Sequence, residues 1–203
     1  MKKLLIPVIA LAVLVCSNLV ARADEAKSDD YEGDRAKRRE QLNPVKTLTQ
    51  MASKGNAEAQ MQLATVYYIG DLGIEKDLVK AVYWFEQAAA QDVALARFNL
   101  GLCYEGGYGV PQNEDTAIEY YMQAAKRGVI AAHVNAALLY RKRGDHGMAT
   151  ELFGLAAQKG NLDSMREYGL CLIKGVKGRN GEGEEFYLQN TDEGLKYVEA
   201  AAS

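Results

Sequence analysis

The sequence predicts an all-α fold, a right-handed α-solenoid of about four helix-turn-helix repeats. Three observations indicate it: a double alanine that recurs along the chain, a second recurring segment upstream of each pair, and turn residues between the copies. The composition agrees, because 203 residues that are 48% hydrophobic and 25% charged suffice for one sizeable core. A formal net charge of −3 argues against a nucleic-acid binder, which would usually carry a basic field.

Residues 1–23 have the pattern of a cleaved secretory signal peptide. Two lysines precede the apolar run 4–15, and Ala21 and Ala23 supply small residues for a cut after Ala23. An uncleaved membrane anchor is the alternative, but the run is shorter than the roughly 20 apolar residues that a spanning helix needs. We therefore expect an exported, periplasmic bacterial protein whose mature form does not span a membrane.

Removal of this segment makes the mature chain more acidic. Lys2, Lys3 and Arg22 leave with it and no acid does, so the formal net charge goes from −3 to −6. Lipidation of Cys16 is disfavoured, because a valine precedes it where such sites carry a small residue. Residues 24–42 alternate acids and bases with almost no apolar residue, which predicts a charged flexible arm. A tether for a partner is the other interpretation of this arm.

The double alanine marks the second helix of each predicted repeat. It recurs as Ala88-Ala89, Ala124-Ala125, Ala156-Ala157 and Ala201-Ala202. A pair of aromatic or large apolar residues stands upstream of each copy. Ala81, Phe85 and Ala88 are spaced i, i+4, i+7, so they share one face of a helix.

A second recurring segment marks the first helix of each repeat. It reads AEAQMQLATVYYIG from residue 57 and ALARFNLGLCYEGG from residue 94, with related copies from 131 and 162. Leu100, Gly101 and Tyr104 have counterparts in the other copies and share one helical face. Small residues let helices approach closely, so enlarging Gly101 or Ala124 is expected to overpack the stack, at a cost on the order of 1–3 kcal/mol.

These copies divide the chain after the arm into a solenoid, 43–203, made of a half-unit and four units. The half-unit is 43–54 and the units are 55–90, 91–127, 128–159 and 160–203, the last with an insertion at 175–194. The pattern of Leu-Gly, Tyr, GYGV, Asp, an aromatic pair and Ala-Ala, complete in 91–127, resembles the Sel-one-like repeat, a slightly longer relative of the tetratricopeptide repeat. The resemblance covers 44–203, although the third unit lacks the GYGV stretch. It implies a mediator of protein–protein contacts, with roles in envelope assembly, secretion and stress.

Candidate catalytic and metal-ligating residues are scarce. His133 and His146 have no further ligand at metal-binding spacing, and the sequence has neither a phosphate-binding loop nor a nucleophile elbow. We therefore expect no catalytic residues, no metal, no cofactor and no enzyme activity. The tripeptide 143–145, Arg-Gly-Asp, spells an integrin-binding motif, but Gly-Asp is ordinary turn chemistry at this point of the third unit.

The two cysteines of the mature chain are predicted to be free and largely buried. Cys103 and Cys171 occupy equivalent positions two repeats apart, farther than the roughly 7 Å between Cα atoms that a disulfide can bridge. Some secreted members of the family that this chain resembles stitch the helices of one unit with a disulfide. The paired cysteine for that bond is absent here, so no disulfide is expected.

The first helices of a solenoid line its concave side, which usually holds the ligand. On these helices the face opposite the stacking residues is apolar, and it is either an exposed groove or a surface covered by superhelical curvature or by the arm. The predicted contact residues are Met61, Thr65, Tyr68, Phe98, Leu102, Glu105, Val134, Leu138, Arg141 and Arg166.

The insertion 175–194 is a second candidate site. Its glycines predict a loop, and Phe186 and Tyr187 form an apolar cluster in its middle that could contact a partner. The last repeat also lacks a polar capping helix, so its apolar end is expected to be covered by the insertion, by dimerisation or by a partner.

The expected function is a periplasmic protein-binding adaptor without catalysis, whose partner is another protein or a peptide and not a nucleic acid. The leading alternative is an immunity protein that neutralises an antibacterial secreted effector in the periplasm, because small exported members of the family resemble such inhibitors. A hydrolase of cell-wall or antibiotic substrates is the third possibility, and no residue set can be nominated for it.

Overall fold

The computed structural model describes residues 44–179 and 185–202, so the predicted signal peptide and the predicted arm lie outside the described residues. Nine helices and two strands lie within these ranges. The helices are α1 (Pro44–Ser53), α2 (Ala57–Ile69), α3 (Leu78–Ala90), α4 (Ala94–Gly106), α5 (Glu114–Lys126), α6 (Ile130–Lys142), α7 (His146–Gln158), α8 (Leu162–Lys174) and α9 (Thr191–Ala202). The strands are β1 (Val176–Arg179) and β2 (Glu185–Leu188). The predicted fold class, an all-α solenoid of helix-turn-helix repeats, is confirmed.

Short polar side chains fix where several helices begin. The Asn56 side chain accepts a hydrogen bond from the backbone N–H of Ala59 at 2.8 Å and so caps α2. The same type of cap begins α3, α5, α7 and α8, at Asp77, Asn113, Asp145 and Asn161. Asn56 and Asn161 thus start the first helix of a repeat, whereas Asp77, Asn113 and Asp145 start the second.

One turn between repeats uses aspartate where the others use glycine. Asp92 has a left-handed φ of 67°, which aspartate tolerates better than most residues. Its carboxylate pairs with Arg97 and lies 2.7 Å from Nη2 of Arg127. The equivalent turns have Gly55, Gly128 and Gly160, with φ of 89°, 91° and 81°. At Asp92, two ion pairs hold a turn that elsewhere relies on the freedom of glycine.

The chain divides into two compact units, residues 1–91 and 92–203, and each is described by itself. In the first unit, α2 packs against both α1 and α3. Its core contains buried Leu48, Ala52, Leu63 and Val66, with Trp84 packed against them. The Gln60 side-chain amide donates a hydrogen bond to the carbonyl of Ala52 at 3.1 Å. It thereby gives a partner to a backbone carbonyl in the last turn of α1.

In the second unit, each helix from α4 to α9 packs against the next one along the chain. Leu100, Tyr121, Leu152, Phe153 and Leu172 are buried to 2% exposure or less. The double alanines of α5 and α7 are buried as well, whereas Ala201 is half-buried and Ala202 is exposed in α9. The last alanine pair thus lies where the stack of described helices ends.

Two glycines permit the closest helix crossings of the second unit. A Cβ atom on Gly101 of α4 would lie 2.5 Å from the Tyr121 ring of α5, which supports the overpacking predicted for a larger residue. A Cβ atom on Gly169 of α8 would lie 2.6 Å from the backbone oxygen of Gly194 in α9. Neither site has room for a side chain unless its neighbour moves.

The glycines of the insertion predict a loop, but its described residues contain two antiparallel strands, β1 and β2, and the first turn of α9. Val176 pairs with Leu188 and Arg179 pairs with Glu185, and β1 contacts α7. Valine and the apolar run 186–188 favour strands, and two of the five glycines of the insertion, at positions 181 and 183, fall between the two strands in the sequence. Residues 180–184 lie outside the described residues.

Candidate functional site

In the first unit, the predicted contact residues of α2 differ in exposure. Thr65 is 5% exposed, and its hydroxyl donates to the carbonyl of Met61 at 2.9 Å, so its oxygen is used within the helix. Met61 and Tyr68 are half-buried. The Tyr68 ring lies 6.5 Å from the Phe85 ring between centroids. This face therefore offers Met61 and Tyr68, but not Thr65, to a partner.

In α4 the predicted contact residues belong largely to the core. Phe98 and Leu102 are 3% and 8% exposed, and the Phe98 ring lies 5.7 Å from the Tyr121 ring between centroids. Of the two interpretations of the apolar face, the buried one applies here, because α5 brings Tyr121 over it. Three of the predicted contact residues are therefore core residues that a partner would not reach: Phe98, Leu102 and Thr65.

Glu105 at the end of α4 is engaged with the same tyrosine. The Tyr121 hydroxyl donates to Oε2 of Glu105 at 2.7 Å. Burial raises the pKa of Tyr121 well above its usual range, and the negative charge of Glu105 adds to this rise. The tyrosine therefore stays protonated and holds the Glu105 carboxylate at the edge of the core.

In α6 and α8 the predicted contact residues remain accessible. Val134 and Leu138 are half-buried, and the side chain of Arg166 is 53% exposed. Arg141 Nη1 donates to Oε2 of Glu167 at 2.8 Å, and the Arg141 guanidinium lies 5.4 Å from the Phe153 ring centroid. We call Val134, Leu138, Arg141 and Arg166 the α6–α8 face. It combines two apolar side chains with two cations, one of which is fixed in place.

The hairpin presents one of the two predicted contact residues of the insertion. Tyr187 is 58% exposed, and its hydroxyl end lies against Gly175, where an added Cβ atom would be 2.0 Å from the oxygen. Phe186 is placed in β2, but its side chain lies outside what the structure describes. Tyr187 is thus an exposed ring whose hydroxyl end lies beside the turn after α8.

A cavity of about 280 Å³ lies between α7, α8 and β2, and the sequence analysis missed it. One face of α7 supplies Gly147, Glu151, Gly154, Leu155 and Gln158, and the other walls are Tyr168 and Leu188. The available signal was the pair of glycines at i and i+7. When α7 is aligned with α5 on the double alanine, the equivalents of Gly147 and Gly154 are Asp115 and Met122. We call this cavity the α7 pocket.

The described residues include few reactive groups with unusual surroundings. Among residues 44–179 and 185–202, no group of three or more His, Cys, Asp and Glu could hold a metal ion. Burial raises the pKa of the Cys103 thiol to about 12, which suppresses its reactivity. Cys171 is half-buried, and both are free thiols. No helix in the described ranges has the length and apolarity needed to cross a membrane.

The repeats match a family model described as the Sel1 repeat at residues 57–93, 94–129 and 132–161. The chain belongs to the Sel1 repeat family. The first match contains α2 and α3, the second α4 and α5, and the third most of α6 with α7. Sel1 repeats form a scaffold suited to protein–protein interaction.

Solved structures of Sel1-like repeat (SLR) proteins share this fold. A protective antigen present in uropathogenic Escherichia coli strains, displaying an SLR fold, has a TM-score of 0.66 and 30% identity. A Sel1 repeat protein from Oxalobacter formigenes has a TM-score of 0.64 and 26% identity. Each match covers 78% of this chain, but 32% of the first protein and 62% of the second. This chain therefore spans less than two thirds of either protein.

A curated relative shares a shorter stretch of sequence. The ERAD-associated E3 ubiquitin-protein ligase component HRD3B of Arabidopsis thaliana is 36% identical over 75 residues. These residues are 36% of this chain and 11% of that protein. The likeness is thus confined to a small part of the plant protein.

The α7 pocket lies at the end of the third Sel1 repeat. The family match ends at residue 161, and α8, the hairpin and α9 follow it. The pocket joins α7 of the matched Sel1 repeat to Tyr168 and Leu188 beyond it. It therefore occurs where the chain departs from the regular repeat pattern.

The Arg-Gly-Asp tripeptide lies between α6 and α7 of the third Sel1 repeat, and both of its charged side chains are engaged. Arg143 Nη1 lies 2.6 Å from Oδ1 of Asp115, and Nε lies 3.3 Å from Oε2 of Glu114. Asp145 accepts a hydrogen bond from the backbone N–H of Met148 at 3.0 Å and caps α7. The tripeptide serves the turn of the repeat, as the turn interpretation predicts.

Proposed function

We propose that this protein is a protein-binding adaptor, exported to the bacterial periplasm, that has no catalysis of its own. Its Sel1 repeats support the binding role, since these repeats form scaffolds for protein–protein interaction. The observation that carries the proposal is the α6–α8 face, where predicted contact residues remain accessible to a partner.

The composition of the α6–α8 face suits a peptide segment with apolar side chains. Val134 and Leu138 offer partly exposed apolar surface one helical turn apart on α6. Arg141 lies on the same side of α6 and is held by Glu167 and the Phe153 ring. A held guanidinium loses less side-chain freedom on binding than a mobile one, so it can orient a backbone carbonyl or a carboxylate of the partner.

Export is supported by the sequence of residues 1–23. The test is to express the full chain, isolate the periplasmic fraction and measure the intact mass and N-terminal sequence of the protein. We expect a protein that begins at Asp24. A full-length protein retained in the membrane fraction would contradict the export part of the proposal and leave the binding part standing.

Binding is tested by cross-linking in the periplasm. A photo-cross-linking amino acid replaces Arg166 in one variant and Glu119, an exposed residue of α5, in a matched control. We expect a specific protein adduct, identified by mass spectrometry, from position 166 and a much weaker one from position 119. The same weak background from both positions would remove the α6–α8 face as the binding site.

The identity of the cross-linked protein distinguishes an adaptor from an immunity protein. A resident envelope protein supports the adaptor, whereas a secreted effector with a basic catalytic cleft supports the inhibitor. Dimerisation through the C-terminal end stays a prediction, for which a cross-link between two copies of this chain is the expected sign.

A further inference from the structure

The α7 pocket exists because α7 departs from the pattern of the other second helices. Gly147 and Gly154 are buried on the face that lines it, where α5 has Asp115 and Met122. A Cβ atom on Gly154 would lie 2.9 Å from the Tyr168 ring. The pocket is therefore open because these two positions on α7 have no side chain, and Leu188 of the hairpin forms one of its walls.

Three polar groups at this pocket have no hydrogen-bond partner within the described part of the chain. They are the carboxylate of Glu151 and the side-chain amide of Gln158, both on exposed residues, and the hydroxyl of the half-buried Tyr168. Glu151 and Gln158 are seven residues apart on α7, which is about two helical turns, so they lie on the same side of the helix. Polar side chains that line one pocket and are open to solvent can exchange water for the polar groups of a ligand.

The remaining walls are apolar, and the pocket is small. Leu155 is 40% exposed and Leu188 is half-buried, so both can cover the aliphatic part of a ligand. A volume of about 280 Å³ lies just below the range of roughly 300–1,000 Å³ typical of small-molecule sites. The pocket therefore fits one long side chain better than a cofactor.

Among the described residues that line the pocket, Glu151 is the only one with a charged side chain. Glu151 forms no ion pair among the described residues, and Glu193 lies close enough to act on Tyr168. Burial raises the pKa of Tyr168, and the charge of Glu193 raises it further. A cation is therefore favoured over a neutral or anionic group.

We propose that the α7 pocket holds the side chain of one arginine from a partner protein, which names the partner chemistry of the proposed binding function and rests on it. The aliphatic stem would pack on Leu155 and Leu188, and the guanidinium would donate two hydrogen bonds to Glu151 and another to Gln158. The Tyr168 ring suits the flat face of a guanidinium. Lysine offers a compact ammonium without the planar fork, so it meets fewer of these groups.

The test uses the mature chain labelled with ¹⁵N and titrated with N-acetyl-arginine amide. The amide signals of Gly147 and Gly154 report on the pocket floor, and we expect them to shift and saturate. Glu151→Gln is expected to weaken binding at least about tenfold, because a charge-assisted hydrogen bond is lost. Glu119→Gln is the matched control, since Glu119 takes the equivalent position on α5 and the variant loses the same charge.

N-acetyl-citrulline amide, N-acetyl-lysine amide and N-acetyl-phenylalanine amide complete the design. Binding of the neutral citrulline or of the phenylalanine as tight as arginine, or equal binding of lysine, would overturn the proposal. So would the absence of any shift, or an equal loss in Glu119→Gln. The titration needs no cellular partner, so a failed periplasmic cross-link at position 166 would remove the α6–α8 face as the binding site without deciding this result.

Discussion

In the α4–α5 pair, Gly101 lies under the ring of Tyr121, whereas in the α8–α9 pair Gly169 lies against the backbone of Gly194. The two glycines occupy equivalent positions of the repeat, but the first faces a side chain and the second faces main chain. The turn 107–113 joins the first pair, and the segment 175–190 with its hairpin joins the second. The α4–α5 pair therefore buries an aromatic side chain at its crossing, whereas the α8–α9 pair brings two helix backbones together.

The difference should appear as unequal tolerance to a single methyl group. A ring can rotate or shift by a few tenths of an ångström, while two helix backbones can separate only by moving as whole elements. The stability of the second unit is therefore more sensitive at Gly169 than at Gly101, although both glycines look alike in the sequence.

The largest expected effect is that of Gly169→Ala. The new Cβ atom would lie 2.6 Å from the Gly194 oxygen and 2.9 Å from a Val198 methyl, so α9 must move away from α8. We expect a loss of about 3 kcal/mol in the free energy of unfolding, measured by urea denaturation. Gly154→Ala is the control, because its nearest atom is the edge of the half-buried Tyr168 ring. A loss at Gly169 no larger than at Gly154 would contradict the comparison.

Gly101→Ala should cost less, about 2 kcal/mol in the same measurement. The Cβ atom would meet the buried Tyr121 ring at 2.5 Å, and this side chain can rotate or shift without moving a whole helix. The double variant Gly101→Ala with Tyr121→Leu removes the clash. We expect it to be more stable than the sum of the single variants indicates, and strict additivity would show that ring and glycine are not coupled.

Tyr121→Phe tests the polar part of the α4–α5 pair. It removes the hydrogen bond to Glu105, 2.7 Å long, and keeps the ring on Gly101. We expect a loss of about 1.5 kcal/mol in unfolding free energy, since hydrogen bonds to charged groups contribute more than neutral ones. If Tyr121→Phe and Glu105→Gln give no coupling in a double-mutant cycle, the bond does not stabilise the fold.

The smallest expected effect concerns pH and a second pair of equivalent positions. Arg97 of α4 pairs with Asp92, whereas His133 of α6 has a buried Nδ1 without a hydrogen-bond partner in the described residues. Burial lowers the pKa of His133 below 6.5, and the charge of Lys159 lowers it further. The unfolded chain therefore binds this proton at a higher pH than the folded chain does.

The contribution of His133 to the stability of the fold is complete above pH 6.5. It declines as the pH falls from 6.5 towards the folded-state pKa of His133. The melting temperature of the wild type should drop more between pH 8 and pH 5 than that of His133→Gln. If the melting temperatures of the two proteins fall by the same amount over this pH range, His133 is not the cause of the loss of stability.

Much of the fold could be predicted from the sequence, because the residues of each packed helical face recur at the same spacing in several copies of the repeat. The double alanines and Leu100, Gly101 and Tyr104 each identify a packed face from spacing alone. The burial of Phe98 could not be predicted, since it depends on the contact that the Tyr121 ring of the next helix makes with it. The α7 pocket was equally out of reach, because it needs the glycines of α7 and a hairpin residue to meet in three dimensions.

The two cysteines offer a way to watch one helix open. Cys103 of α4 has no exposed surface, and burial raises its pKa to about 12, while Cys171 at the equivalent position of α8 is half-buried. An alkylating reagent should modify Cys171 in the native protein and reach Cys103 only after α4 separates from its neighbours. Timed alkylation followed by peptide mass spectrometry would then record how often this part of the solenoid opens under native conditions, without any introduced label.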